Sequence, residues 1–429
     1  MGGVSDLPRR AVTRSAKLAS LPIGFAGRTA LGMGKRTFGR PAEAVATEIQ
    51  QRTAEQLFKV LGELKGGAMK LGQMLSIFEA ALPPEIAGPY RATLTKLQEA
   101  APPLPAATVH RVLEEFLGED WRDYFESFDD EPAAAASIGQ VHKAVWHDGR
   151  RVAVKVQYPG AGKALISDFN QLARLGRMFG VLMPGLDVKS MLAELKQRVA
   201  EELDYTIEAE SQMHFRQAYA DDPDFYIPEG IAQDGNILIS EWIDGTALSQ
   251  IISEGDQETR DHAALLYCRF LLSGPKRSGM LHGDPHPGNF RLLEDGRLGV
   301  LDFGAVDRIP GGFQRRLGLL LRIGTMADID EVEAALRRED FIREGVEIDK
   351  DALQAFLAPV TEPFVTETFR FSREWLREMA ARVTDLRPSN VVRQLNLPPD
   401  YVIIHRVLSA GTGVLCQLEA RAGYREILR

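Results

Sequence analysis

Two aspartates and an asparagine in the middle of the chain have the types and the spacing that phosphoryl transfer requires. Asn289 follows Asp284 by five residues, and Asp302, which opens an Asp-Phe-Gly sequence, follows Asn289 by thirteen. In kinase-type catalysis an aspartate lies beside the attacking group, while an asparagine and the Asp-Phe-Gly aspartate hold Mg²⁺ against the phosphates. The three residues therefore predict a catalytic Asp284 and a magnesium site at Asn289 and Asp302.

The residues between Asn289 and Asp302 predict a β-hairpin. Apolar runs at 290–293 and 298–301 flank the sequence Glu294-Asp295-Gly296, and Asp-Gly is a frequent hairpin turn. Such a hairpin would place Asn289 and Asp302 at adjacent ends. The alternative is a capped turn followed by an ordinary strand-end aspartate. We favour the catalytic interpretation because both pieces occur at the expected spacing.

Two histidines flank the candidate catalytic aspartate. His282 and His286 are four residues apart, but Pro285 and Pro287 exclude a helix that would bring them onto one face. We therefore expect His282 to brace the catalytic loop rather than to bind a metal.

An upstream β-rich region carries a candidate nucleotide site. Residues 152–155, Val-Ala-Val-Lys, match the kinase strand whose lysine contacts the α- and β-phosphates. The loop 133–140 precedes this strand in the place of a kinase glycine-rich loop, and with one glycine it should approach phosphates less closely. We assign nucleotide contacts to Lys155 and to the loop residues Ala134, Ala135 and Ser137.

An acidic helix and a linking segment complete this candidate site. The pattern over 187–218 predicts one helix that contains Glu-Glu-Leu-Asp-Tyr at 201–205, and a carboxylate on it would pair with Lys155. A solvated acidic face is the plain alternative. Residues 241–245 would cross from a β-rich lobe to a helical lobe, where the backbone of Glu241 and Ile243 would bind adenine.

The N-terminal part of the chain predicts a long helix over residues 42–80. The prolines at 83 and 84 should end this helix. Lys70 and Gln73 share one face of it. Gly72 between them costs about 1 kcal/mol of helix propensity relative to alanine, as expected where another backbone approaches closely. A surface lysine in a weakened helix is the alternative.

Charge and composition limit the classes of function. The chain has 429 residues, 45% of them hydrophobic, which is enough for two lobes and an extension. A net charge of −9 argues against a nucleic-acid partner. Residues 1–40 nevertheless carry eight basic side chains and one acidic one. An anionic membrane surface as partner and a flexible basic tail both remain open.

Cysteine usage and hydropathy suggest the compartment. Cys268 and Cys416 are the two cysteines, and their apolar helical surroundings predict buried thiols rather than a disulfide framework. We therefore expect a reducing, cytoplasmic location. No apolar run of about 18 residues is present, so any membrane contact should be peripheral.

Together these motifs resemble the UbiB/AarF/ADCK family of atypical kinase-like proteins, from about residue 45 to the C-terminus. The resemblance is carried by 70–73, 133–140, 152–155, 202–208, 282–289 and 302–304. It implies an α+β, bilobal protein-kinase-like fold with a small β-rich N-lobe, a helical C-lobe and an N-terminal helical extension packed over the active site. We divide the chain accordingly into a basic, flexible segment at 1–40, the extension at 41–106, the N-lobe at 107–245 and the C-lobe at 246–429.

The resemblance also implies roles and ligands. Lys155 would pair with Glu202, while Lys70 and Gln73 would reach over the active site toward Asp204 and regulate it. ATP and Mg²⁺ are the implied cofactors. Members are tied to quinone or other isoprenoid-lipid metabolism, often at membranes, with ATPase activity as the recurring chemistry.

Three functions remain in competition. The first is an ATP- and Mg²⁺-dependent ATPase or small-molecule kinase, the second a protein kinase acting in trans, and the third a nucleotide-gated scaffold without catalysis. The extension argues against the second, and the intact set of Lys155, Asp284, Asn289 and Asp302 against the third.

Overall fold

A computed structural model describes residues 103–136, 138–160, 162, 203–308, 319, 323, 328–384, 390–398 and 401–428. The predictions for residues 1–102, which include Lys70 and Gln73, and those for Ser137 and Glu202 lie outside these residues. The described chain divides into two compact units. The first holds 103–204 and 234–237, and the second holds 205–233 and the residues from 238 onward.

The first unit is an antiparallel sheet preceded by a helix. Strands β1 (Phe125–Ala135), β2 (Gly139–Trp146) and β3 (Arg151–Gln157) pair in sequence order. Helix α1 (Ala106–Leu117) precedes them and ends at Gly118, whose φ of +92° suits glycine. The backbone N–H of Gln157 donates to the Asn236 carbonyl oxygen at 2.9 Å, which places the turn 234–237 beside β3.

Alternation of side chains orients the strand that carries the candidate lysine. Val152, Val154 and Val156 are all 0% exposed, so this face of β3 belongs to the core. Lys155, between two of them, lies on the opposite face and is half-buried. Because successive side chains of a strand point to opposite faces, Lys155 points away from the core.

The second unit is mainly helical. Its helices are α2 (Tyr205–Ala218), α3 (Leu248–Glu254), α4 (Gln257–Arg277), α5 (Ile329–Arg338), α6 (Lys350–Val365), α7 (Arg373–Thr384) and α8 (Val402–Leu418). The short strands are β4 (Phe225–Tyr226), β5 (Gly230–Asp234), β6 (Ile237–Glu241), β7 (Thr246–Ala247), β8 (Met280–His282), β9 (Phe290–Leu292), β10 (Leu298–Val300), β11 (Val306–Arg308), β12 (Phe369–Arg370) and β13 (Arg421–Ala422). The turn 234–237, which belongs to the first unit, contains the last residue of β5 and the first residue of β6.

Helix α4 is the centre of the second core. Asp256 caps its start by accepting the Thr259 N–H at 2.8 Å. The buried side chains of α4 pack in one cluster with those of α8 and of the strands β9 and β10. Cys268 and Cys416 belong to this cluster, and burial raises the pKa of the Cys268 thiol to about 12. The prediction of buried thiols is confirmed.

Two predicted boundaries differ in the structure. Strand β1 continues to Ala135, inside the predicted loop 133–140, because register shifts on both sides of Pro132 absorb the proline within the ladder. The backbone at Leu203 and Asp204 is not helical, so α2 begins at Tyr205, and the part of the predicted helix from 187 to 202 lies outside the described residues.

Candidate active site

A pair of short strands brings the two candidate catalytic segments together. Strands β8 and β11 are antiparallel, with Val306 opposite His282, and the Gly283 N–H donates to the Ala305 carbonyl oxygen at 2.7 Å. The loop that starts at Gly283 and the Asp-Phe-Gly segment that ends at Gly304 are therefore fixed at one place.

The predicted hairpin is confirmed. Strands β9 and β10 pair with Phe290 opposite Val300 and Leu292 opposite Leu298. The Leu301 N–H donates to the Asn289 carbonyl oxygen at 2.9 Å, so the hairpin closes at the residues that precede and follow it. Asn289 and Asp302 consequently lie at adjacent ends, as the spacing required.

Hydrogen bonds orient the three candidate catalytic side chains, all of which are half-buried. Asn289 Nδ2 donates to the Asp284 carbonyl oxygen at 3.2 Å, and the Gly304 N–H donates to Asp302 Oδ1 at 2.9 Å. The His286 N–H approaches Asp284 Oδ1 at 3.4 Å. Because the amide nitrogen of Asn289 is engaged by the loop, its Oδ1 is the atom suited to a cation.

The donor set fits Mg²⁺. Asn289 and Asp302 offer an amide and a carboxylate oxygen, which are the hard ligands this ion prefers. Within the described part of the chain, no cluster of three or more His, Cys, Asp or Glu side chains forms a metal site. Mg²⁺ commonly completes its shell with water and substrate phosphates instead of an all-protein cage.

His282 braces the candidate catalytic segment, as predicted. The side chain is 2% exposed, and Nε2 donates to the Asp302 carbonyl oxygen at 2.7 Å. Its ring packs against a group of phenylalanines at centroid distances of 5.7–6.3 Å, namely Phe215, Phe270, Phe290 and Phe303. The contact joins the start of the loop with the first residue of Asp-Phe-Gly.

Glu208 lies at this site, although no separate role was predicted for it. It is 2% exposed, and its Oε2 lies 3.3 Å from the position that a Cβ on Gly304 would take. Asp302 Oδ1 lies 3.3 Å from the same position, so glycine leaves room for two carboxylates. The buried stripe of α2, formed by residues 205, 208, 212 and 215 at helical spacing, was the signal that could have identified it.

The alanine-rich loop is shorter than predicted. Ala134 and Ala135 lie in β1, opposite Val141 and Gln140. The Ala136 N–H donates to the Gly139 carbonyl oxygen at 2.9 Å, so the connection to β2 is a tight turn. Cross-strand pairing of the alanines, which the loop prediction omitted, accounts for the difference.

The single glycine of this loop serves the packing of the sheet. A Cβ on Gly139 would lie 2.3 Å from the Val156 carbonyl oxygen. Gly139 therefore allows β3, the strand that carries Lys155, to approach β2 closely.

A buried polar chain fixes the base of the same loop. The Leu104 N–H donates to Gln140 Oε1 at 2.7 Å, Gln140 Nε2 donates to His142 Nε2 at 2.9 Å, and His142 Nδ1 donates to the Asp129 carbonyl oxygen at 2.8 Å. His142 is 0% exposed, and burial lowers its pKa. Because Nε2 accepts a hydrogen bond and Nδ1 donates one, the imidazole of His142 must be neutral with its proton on Nδ1.

In the linking segment 241–245, one of the backbone groups that were predicted to bind adenine already has a hydrogen-bond partner within the protein. The Glu241 N–H donates to the Glu229 carbonyl oxygen at 2.8 Å, and the Glu241 carboxylate accepts from Tyr226 Oη at 2.6 Å. An adenine contact from Glu241 is therefore limited to its carbonyl oxygen. Ile243, in the same segment, is 7% exposed. Asp204, the residue directly before α2, is exposed.

Residues 96–336 match the family model described as the ABC1 atypical kinase-like domain. The chain belongs to the ABC1 atypical kinase-like family. The matched range contains Lys155, Asp284, Asn289 and Asp302. The resemblance to UbiB/AarF/ADCK proteins that the sequence suggested is thereby confirmed.

Several relatives of this ABC1-family chain are named atypical kinases. It is 33% identical over 315 residues to the mitochondrial atypical kinase coq-8 of Caenorhabditis elegans, covering 70% of this chain and 41% of that protein. It is 29% identical over 435 residues to the mitochondrial atypical kinase COQ8B of Danio rerio, covering 98% of this chain and 68% of that protein. The chain thus spans less than half of the first relative and about two thirds of the second.

A solved structure supports the same fold. The complex of Rv3197 with erythromycin from Mycobacterium tuberculosis superposes with a TM-score of 0.69 at 43% identity, covering 90% of this chain and 97% of that one. Together with the family match, this confirms the predicted α+β kinase-like fold with a β-rich and a helical part. Among the described helices of this ABC1-family protein, none is long and apolar enough to span a bilayer.

Proposed function

We propose that this protein binds ATP with Mg²⁺ and transfers or hydrolyses the terminal phosphoryl group. The observation that carries the proposal is the hydrogen-bonded arrangement of Asp284, Asn289 and Asp302 around one hairpin. Kinase-type chemistry needs little beyond positioning and charge stabilisation, and these residues are suited to both. Membership of an atypical kinase-like family supports the same chemistry.

Each residue has a distinct task in this proposal. Asp284 would orient the attacking hydroxyl or water and accept its proton. Asn289 and Asp302 would hold Mg²⁺, which supplies charge neutralisation at the phosphates when bound. Lys155 would contact the α- and β-phosphates. Glu208, buried against Gly304, would keep the Asp-Phe-Gly segment in place.

The proposed metabolite is a quinone or another isoprenoid lipid, and the proposed location is cytoplasmic with peripheral membrane contact. The resemblance to the UbiB/AarF/ADCK family supports the lipid, and the basic segment 1–40 supports contact with an anionic surface. A spanning helix is not needed for either.

The direct test is turnover of labelled ATP by the purified full chain, with and without liposomes that carry quinones. We expect Mg²⁺-dependent phosphate release that anionic, quinone-bearing liposomes increase, and no label in added proteins. Label in a protein mixture that Asp284→Asn abolishes would favour the trans-acting kinase instead. Failure to bind nucleotide at about 1 mM ATP, the upper end of usual KM values, would refute the proposal.

A macrolide is a second candidate ligand. The observation that favours it is the Mycobacterium tuberculosis relative, 43% identical over 90% of this chain, whose structure contains erythromycin. Calorimetric titration of erythromycin into the protein, with and without Mg²⁺ and ATP, would test it. Saturable binding would support this candidate. The absence of any binding heat at about 1 mM erythromycin, a concentration that would detect even weak affinity, would reject it.

A further inference from the structure

A buried tyrosine lies behind the catalytic loop. Tyr267, in the middle of α4, is 0% exposed, and its hydroxyl donates to the Pro285 carbonyl oxygen at 2.6 Å. Pro285 directly follows Asp284 and has no N–H, so this carbonyl is the one backbone group through which the residue can be hydrogen-bonded. The contact fixes the loop immediately after the candidate catalytic carboxylate.

Neighbouring elements hold the tyrosine ring in place. Phe290 meets it edge-on at a centroid distance of 4.9 Å. On the α8 side, a Cβ on Gly411 would lie 3.9 Å from Tyr267 Oη and 2.7 Å from Leu271 Cδ1, so that helix packs closely on α4. The hydroxyl is therefore held in position by two elements besides its own helix.

The hydroxyl is a permanent donor. Burial, and to a smaller extent the charge of Asp284, raise the pKa of Tyr267 well above its ordinary value. The side chain consequently stays protonated throughout the range in which an enzyme works.

We propose that Tyr267 is a positioning residue for Asp284, an inference that rests on the proposed phosphoryl-transfer function. Asn289 holds the carbonyl of Asp284 at 3.2 Å, and Tyr267 holds the next carbonyl, that of Pro285, at 2.6 Å. Two consecutive carbonyl groups are thus anchored by different elements. Because reaction rates depend steeply on the placement of a catalytic group, the second anchor should affect the chemical step more than nucleotide binding.

Replacing Tyr267 by phenylalanine removes the hydroxyl and keeps the ring. Tyr424→Phe is the matched control, since Tyr424 is also 0% exposed in the same core and its hydroxyl has no hydrogen-bond partner among the described residues. We expect Tyr267→Phe to lower kcat about tenfold, near the upper value of one hydrogen bond, with KM for ATP unchanged. Tyr424→Phe should leave both constants as they are.

Hydrogen–deuterium exchange of residues 283–289 measures the anchoring without any turnover. Exchange should be faster in Tyr267→Phe than in the wild type or in Tyr424→Phe. Unchanged exchange, unchanged kcat, or a rise in KM alone would each overturn the positioning role. Absence of turnover in the wild type would instead overturn the proposed function, and the exchange experiment would then decide whether Tyr267 anchors the loop.

Discussion

The imidazole of His282 donates to the carbonyl oxygen of Asp302 across a distance of 2.7 Å. This bond connects the last residue of β8 with the first residue of Asp-Phe-Gly, twenty positions later in the chain. It holds the backbone of the candidate magnesium-binding segment without using the Asp302 carboxylate. The carboxylate therefore remains oriented by the Gly304 N–H, at 2.9 Å.

Replacing His282 by leucine should lower the free energy of unfolding by about 1–3 kcal/mol, because the buried Asp302 carbonyl would lose its donor. Turnover should fall as well. His262→Leu is the matched control, since His262 also binds a backbone carbonyl, that of Gly296 at 2.8 Å, but at an exposed position. Urea titration followed by fluorescence measures both variants, and equal losses would contradict a bracing role for His282.

Gly283→Ala should destabilise the junction of β8 and β11. A Cβ there would lie 2.8 Å from the Ala305 carbonyl oxygen and 3.2 Å from Asp307 Oδ2, so the strand pair would have to separate. We expect a loss of about 1–3 kcal/mol, as for other overpacked sites. Gly230→Ala, where nothing lies within 4 Å, should change the melting temperature little. Equal melting temperatures for both variants would refute the close approach.

His142 should make stability depend on pH. Burial lowers its pKa below the ordinary value of 6.5, against the opposing effects of the Asp129 carbonyl and of the Asp130 and Asp129 charges, while His110 lowers it further. The unfolded chain therefore binds a proton that the folded chain does not. Stability from this group is complete above about pH 6.5 and is lost as the pH falls toward the lowered pKa.

The measurement is the difference in unfolding free energy between the wild type and His142→Gln from about pH 8 to pH 5, the range in which histidine titrates. The variant should be less stable at high pH, because the chain from Leu104 through Gln140 is broken. The difference should shrink on acidification. Parallel profiles would show that His142 is protonated equally in both states.

Local signals were sufficient for the parts of the site that lie close together in the chain. The hairpin between Asn289 and Asp302 followed from one turn sequence and two apolar runs. The bounds of α5 likewise depend on local signals, because Asp328 caps its first turn and basic residues end its last. Such features depend on neighbours within a few residues.

Features that depend on distant contacts were not predicted. Strand β1 includes Ala134 and Ala135 because β2 pairs with them, which the loop sequence alone does not reveal. Helix α6 continues to Val365 through two prolines, residues that ordinarily interrupt a helix. The place of Glu208 depends on Gly304, almost one hundred residues away. The predicted roles of Lys70, Gln73, Glu202 and Ser137 stay predictions.

Asp284→Asn should separate chemistry from binding. The amide keeps the size of the side chain but cannot accept the proton of the attacking group, so kcat should fall by about two to four orders of magnitude, the usual contribution of a general base. Nucleotide affinity should stay within a factor of about two, because the substitution spares Asn289 and Asp302. Wild-type complementation of a deletion strain by this variant would favour the nucleotide-gated scaffold.

The decisive measurement for magnesium binding by Asp302 is the Mg²⁺-dependent ATP turnover of Asp302→Asn, compared with that of Asp295→Asn in the exposed turn of the same hairpin. We expect Asp302→Asn to lose at least about a hundredfold in turnover and to lose the Mg²⁺ dependence of nucleotide affinity, because a carboxylate ligand is removed. Asp295→Asn should match the wild type. Wild-type turnover by Asp302→Asn would show that Asp302 does not hold the catalytic Mg²⁺.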